Sequence, residues 1–212
     1  MATVDTFIDS ARYDLRDYQG GLEFDDDEIL EYINRMVIVL DSTLTALNSS
    51  HVHGTDSTVD LLIATNSVDI KTNLNSGNWD SIRSVWISQN RLEKISVDLM
   101  YYKRKYLSTS TGQPQFWAHE GDNLIFDLTA DQKYDLTIHY NKRTATLTTA
   151  SNMPYSDRFN QIFRELLVMH AKAKKEGSIA PPEQMYSAMF RRVAIEDQIR
   201  IDFVPKNYRI GF

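Results

Sequence analysis

The 212-residue chain contains no cysteine. Disulfide bridges, thiolate metal sites and cysteine nucleophiles are thereby excluded, and the absence fits assembly in a reducing compartment. Long hydrophobic runs are missing as well. The longest strongly apolar stretch, Met36–Leu40, falls far short of the ~20 residues that span a membrane. Met1–Asp5 carries neither the basic region nor the apolar core of a secretory signal, so synthesis in the cytoplasm is expected. Catalytic signatures are equally scarce. There is no phosphate-cradling glycine loop, no dinucleotide fingerprint, no nucleophile elbow and no helical pair of zinc histidines. The expectation is a chain with no catalytic residue, no cofactor and no metal, hence not an enzyme. Paired carboxylates for glycoside hydrolysis depend on a spatial separation that a sequence neither reveals nor denies.

What is present is a globular composition, 42% hydrophobic and 25% charged, in a chain long enough to bury a core. The net charge of −6 hides an asymmetry. Residues 1–70 hold 14 Asp and Glu against 3 Lys and Arg, whereas residues 71–212 hold 15 against 20. Such a division either lets copies stack head to tail or bridge two unlike partners, or is ordinary variation along a chain. The chain is too weakly basic for sequence-specific DNA binding to be the default.

Hydrophobic periodicity places a first helix after Thr3, a good N-cap, with Val4, Phe7, Ile8, Ala11, Leu15 and Tyr18 on one face. Gly20-Gly21 stops it. A second helix opens at Asp25-Asp26-Asp27-Glu28, where Asp25 and Glu28 imitate a capping box. Ile29, Ile33, Met36, Leu40, Leu44 and Leu47 form its stripe. From Thr58 to Tyr140, β-branched and aromatic residues and turns dominate. Strands are expected at Val59–Ala64, Ser81–Ser88, Gln115–His119, Asn123–Asp127 and Tyr134–Tyr140, the last three as a meander, with a short helix from Ser96 to about Lys105. Helices return after Pro154, through Phe159, Ile162, Phe163, Leu166 and Leu167 to a stop at Gly177. The final helix follows Pro181-Pro182, with Met185, Met189, Val193 and Ile199 on its stripe, and runs to about Arg200.

The carboxylates of Asp25–Glu28 lack the glycine and spacing of a calcium loop, so a helix start accounts for them. His51 and His53 lie in an expected polar loop without the further ligands zinc needs. Lys103-Arg104-Lys105 and Lys172-Lys174-Lys175 suit solvated ends of helices. Arg191 and Arg192 fall mid-helix, either paired with an acidic neighbour or facing solvent. The last twelve residues, 201–212, lack helical period and contain Phe203, Tyr208, Ile210 and Phe212. Exposed, these side chains would be an aggregation hazard, so they dock either on their own domain or, as the preferred reading, as an arm on a neighbouring chain.

Four stretches in order carry a family resemblance over about residues 3–170. They are Thr3–Asp17; Phe24–Asn34; Ser84–Ile87 leading into Arg91–Ser96; and Gly112–Trp117 followed by Asp122–Asp127 and Tyr134–Asn141. Together they resemble the head-to-tail connector, or portal-adaptor, proteins of tailed bacteriophages. Leu128-Thr129 departs from the pattern, since similar proteins often carry a proline there. The resemblance implies an α+β, mainly helical fold: a helical bundle (1–57 and 150–200), a β-rich insertion with a short helix (58–149) between the second helix and the C-terminal helices, and an extended C-terminal arm (201–212). It further implies a structural virion protein at the head–tail interface. Twelve copies would form a ring that joins portal to tail or nozzle proteins and continues the channel for genomic double-stranded DNA, with no membrane contact. On this reading Asp25, Asp26, Asp27 and Glu31 face the channel, while Arg191, Arg192 and the arm meet partners. The alternatives are a phage-associated cell-wall hydrolase and a helical interaction module unrelated to phage.

Overall fold

The computed structural model describes residues 3–15, 24–107, 110–155, 157–177 and 183–202. The chain forms two compact units, one made of Met1–Val52 and Thr144–Phe212, the other of His53–Arg143.

The first unit is helical. Helix α1 (Val4–Leu15) starts where the Thr3 hydroxyl accepts the backbone N–H of Thr6 at 3.2 Å. Helix α2 (Asp26–Ala46) buries Ile29, Ile33, Met36, Leu40 and Leu44 completely, each worth about 1.5–3 kcal/mol against exposure. Asp25 is its N-cap residue but makes no side-chain cap bond, and Glu28 turns away to Lys174, so the expected capping box does not form.

The second unit holds β1 (His53–Leu61), β2 (Ser67–Asp69), β3 (Trp79–Ile87), β4 (Asn90–Arg91), β5 (Glu93–Lys94), α3 (Val97–Leu107), β6 (Phe116–Glu120), β7 (Asn123–Phe126) and β8 (Tyr134–Lys142). One four-stranded sheet has the order β1-β8-β3-β4 and the other β2-β7-β6-β5. Val59, Leu61, Val85, Leu136 and Ile138 of the first sheet share a core with Val68, Trp117, Leu124 and Phe126 of the second. Alternation then turns Ala118 and Ile125 to the opposite face, where they pack on Met100 of α3. Arg104 fastens that helix by donating to the carbonyls of Phe126 (2.8 Å) and Asn66 (2.6 Å), so it is not a solvated charge at a helix end.

The chain returns to the helical unit as α4 (Asp157–Glu176) and α5 (Glu183–Asp202). Phe159, Phe163, Leu166 and Leu167 complete the core with Tyr186, Phe190 and Ala194. Gly177, at φ +62°, supplies the left-handed residue that ends α4. Among the described residues no helix is long and apolar enough to cross a membrane.

Several expectations are corrected. The mainly helical fold, a helical bundle with a β-rich insertion, is replaced by a sheet-rich one that has, among the described residues, two four-stranded sheets and five α-helices. The reason is that His53–Arg143 closes a full core of its own between sheets, rather than decorating a bundle. The three-strand meander also fails. β6 and β7 form a hairpin through Gly121, but β8 leaves it to pair with β1 and β3 in the other sheet. Buried Asp127 marks the exit, its carboxylate accepting the N–H groups of Gln115 (3.1 Å) and Phe116 (3.0 Å) where a ladder would otherwise continue. β1 begins earlier than expected, at His53, and ends at Leu61, because Leu62 and Ile63 are exposed in a turn. The stripe of α5 is out of phase by one residue: Tyr186, Phe190 and Ala194 face inward, leaving Met185 exposed and Met189 and Val193 half-buried. Ile201 and Asp202, expected to begin the arm, belong to α5.

Candidate assembly surfaces

The sequence-derived surface residues fall in separate places. At the start of α2, Asp25, Asp26, Asp27 and Glu31 are exposed. Arg12 of α1 reaches Asp26 through Nε at 3.1 Å and through a second guanidinium nitrogen. Lys174 of α4 holds Glu28 at 2.7 Å. Two of the five carboxylates are thus paired within the unit, and Asp25, Asp27 and Glu31 make the outward negative charge. On α5, Arg191 is exposed and Arg192 forms an exposed pair with Glu196 at 3.3 Å. Phe203, Tyr208, Ile210 and Phe212 lie outside the described residues.

Sequence reasoning missed two grooves. One, of about 1020 Å³, runs between α1 and α4 and is walled by Phe7, Ser10, Asp14, Arg164, Val168 and Met169. Arg164 bridges it, donating to the Ser10 hydroxyl and standing over the Phe7 ring at 5.7 Å. The second, about 390 Å³, lies between α4 and α5 and includes Met189, Val193 and Glu196. It exists because the phase of α5 leaves Met189 and Val193 half-buried at the edge of the core. A third surface belongs to α3, where Leu99, Tyr102 and Tyr106 are exposed at helical spacing and the last two rings lie 4.8 Å apart. Neighbouring Lys103 is folded over Phe116. The three-four spacing of these residues was legible; their outward direction was not, because a buried stripe has the same period.

Beneath these surfaces, α2 grips the returning chain. Asn34 accepts the N–H of Leu147 at 2.7 Å and donates to its carbonyl at 3.1 Å. Asp41, buried, accepts the N–H (2.7 Å) and hydroxyl (3.0 Å) of Thr144 and the hydroxyl of Tyr155. Burial, and then the Asp41 charge, push the Tyr155 phenol far above its ordinary range, so it remains a donor. His170 lies between the Tyr32 ring (4.8 Å, stacked) and the Tyr186 ring (5.2 Å). Burial and the charge of Arg35 hold its imidazole below the usual histidine range. His51 is exposed in a 3₁₀ turn and His53 starts β1. Among the described residues no three metal-ligating side chains converge. These groups stabilise and position the unit, tying α2 to the returning chain and to α4.

Residues 2–205 match the family model described as SU10 adaptor protein. No curated protein matches the chain.

Proposed function

Because the chain belongs to the SU10 adaptor protein family, a family of phage head–tail adaptors, we propose that it acts as a ring subunit that joins the portal to tail or nozzle proteins in the virion. The family match over nearly the whole chain carries this reading. Twelve copies close the ring through a heterologous contact, one face of each subunit against a different face of the next. The C-terminal residues Phe203, Tyr208, Ile210 and Phe212 form an arm onto a neighbouring chain, with Arg191 and Arg192 as flanking partner contacts. The acidic start of α2 faces the channel, where Asp25, Asp27 and Glu31, and in lesser degree the Arg12-paired Asp26, repel DNA phosphates and let the duplex slide.

Purified chain mixed with portal protein and imaged by electron microscopy should give rings of twelve on the portal. A chain that stays monomeric in the presence of portal overturns the reading. Neutralising Asp25, Asp26, Asp27 and Glu31 together should change DNA retention or ejection from assembled particles, and unchanged behaviour removes the channel assignment.

A further inference from the structure

The arm needs a receiving surface, and the groove between α1 and α4 has the shape and chemistry for one. Its volume of about 1020 Å³ is at the upper end of the range that encloses a small ligand, so it suits a short peptide segment. Val168 and Met169, half-buried, give it apolar walls above the buried ring of Phe7, Arg164 crosses it to Ser10, and Asp14 and Glu165 stand exposed at its rim. We propose that this groove receives the C-terminal segment of a second copy of the chain, an inference that rests on the ring reading above.

The pattern of that segment matches the groove. On an extended backbone, Tyr208, Ile210 and Phe212 share one side and Arg209 takes the other. Three large apolar groups then meet the apolar walls, and the guanidinium meets the acidic rim. The lengths agree as well. Tyr208 to Phe212 covers ~13 Å at strand rise, close to the ~14 Å of α4 from residue 160 to residue 169. Phe203 to Asn207 remains to cross from one subunit to the next, a reach of about 17 Å. Recognition is thus by pocket filling along an extended peptide, with no sheet edge required.

The absence of cysteine makes the test clean. Full-length chains carrying Val168→Cys are mixed in equal amounts with chains carrying Tyr208→Cys, assembled with portal protein and oxidised. A disulfide-linked dimer is expected in the mixture and in neither variant alone. Rings that form without cross-linked dimer overturn the inference and leave the adaptor reading standing, because the arm then sits elsewhere. A Val168→Cys, Tyr208→Cys double variant that loses its thiols without gaining mass also overturns it, since the groove then holds the chain's own tail. No ring on the portal defeats both readings. Adding Glu165→Lys to the Val168→Cys chain should lower the dimer yield about two- to fivefold, as expected of one rim charge pair.

Discussion

The two units solve the same problem by different means. In the sheet unit, one continuous segment satisfies its backbone through ladders, and the core between the sheets depends on shape. Gly54 illustrates this: a Cβ there would come within 2.5 Å of the Tyr140 ring. The helical unit is assembled from both ends of the chain. Among the described residues, its irregular return segment finds backbone partners in the rest of the unit only where Ser151 and Thr149 accept the N–H groups of Val4 and Asp5, beside the single Thr3–Asn152 bridge. Side chains of α2 add to these, with Asn34 and Asp41 supplying further partners. Packing faults should therefore dominate in one unit, and lost or altered polar groups in the other. The chain provides a way to tell them apart, because its three tryptophans, Trp79, Trp86 and Trp117, all belong to the sheet unit. Tryptophan fluorescence follows that unit, while most of the ellipticity at 222 nm follows the helices of the other.

The sharpest challenge to this contrast is Asp41→Ala. The half-buried N–H and hydroxyl of Thr144 and the buried hydroxyl of Tyr155 lose their acceptor, and the helical transition should fall by about 3–5 kcal/mol in urea titrations read at 222 nm. An equal loss in the tryptophan signal would abolish the distinction. Next in size is Gly54→Ala, expected to cost the fluorescence transition about 1–3 kcal/mol through overpacking against Tyr140.

A smaller effect comes from pH. The His170 imidazole titrates lower in the folded protein than in the unfolded chain, so acidification binds protons to the unfolded state first. Its contribution is intact above about 6.5 and declines as pH falls from there towards the folded value. Tyr32, Tyr186 and Arg35 surround it, and none supplies a countercharge; Glu28 is occupied by Lys174. His170→Phe should flatten the pH dependence of the 222 nm transition between pH 7.5 and 5.5, whereas retention of the wild-type slope would remove His170 from the explanation. His53 in β1 shifts in the same direction through burial and Arg83, so the fluorescence transition should keep its own pH dependence in that variant. The weakest expected change is Arg192→Ala, which breaks an exposed helical pair and should move either transition by about 0.5 kcal/mol or less.

Local signals were the legible part. Thr3 does cap α1, and of the expected stripe of α2 the five residues Ile29, Ile33, Met36, Leu40 and Leu44 are buried, with Leu47 half-buried at its end. The hairpin of β6 and β7 is where the Glu120–Asn123 turn puts it. Long-range choices were not legible. Nothing within Tyr134–Lys142 says that it pairs with β1 and β3 instead of continuing a meander, because strand sequence encodes a face, not a partner. The phase of α5 was misjudged because Met185, Met189 and Val193 keep the same spacing as Tyr186, Phe190 and Ala194, one residue away. The α1/α4 groove is a property of the spacing between two helices, so neither sequence announces it. Arg164, which bridges that groove, reads in isolation as one more solvated charge.

The strands that lead into and out of the sheet unit are hydrogen-bonded neighbours, with His53 opposite Asn141. The boundaries of a 91-residue body therefore lie side by side. Joining them needs only a tight turn, and loop closure that short carries little entropic penalty. A host loop would need to open by only about one strand spacing, roughly 5 Å, to carry the segment between Val52 and Thr144.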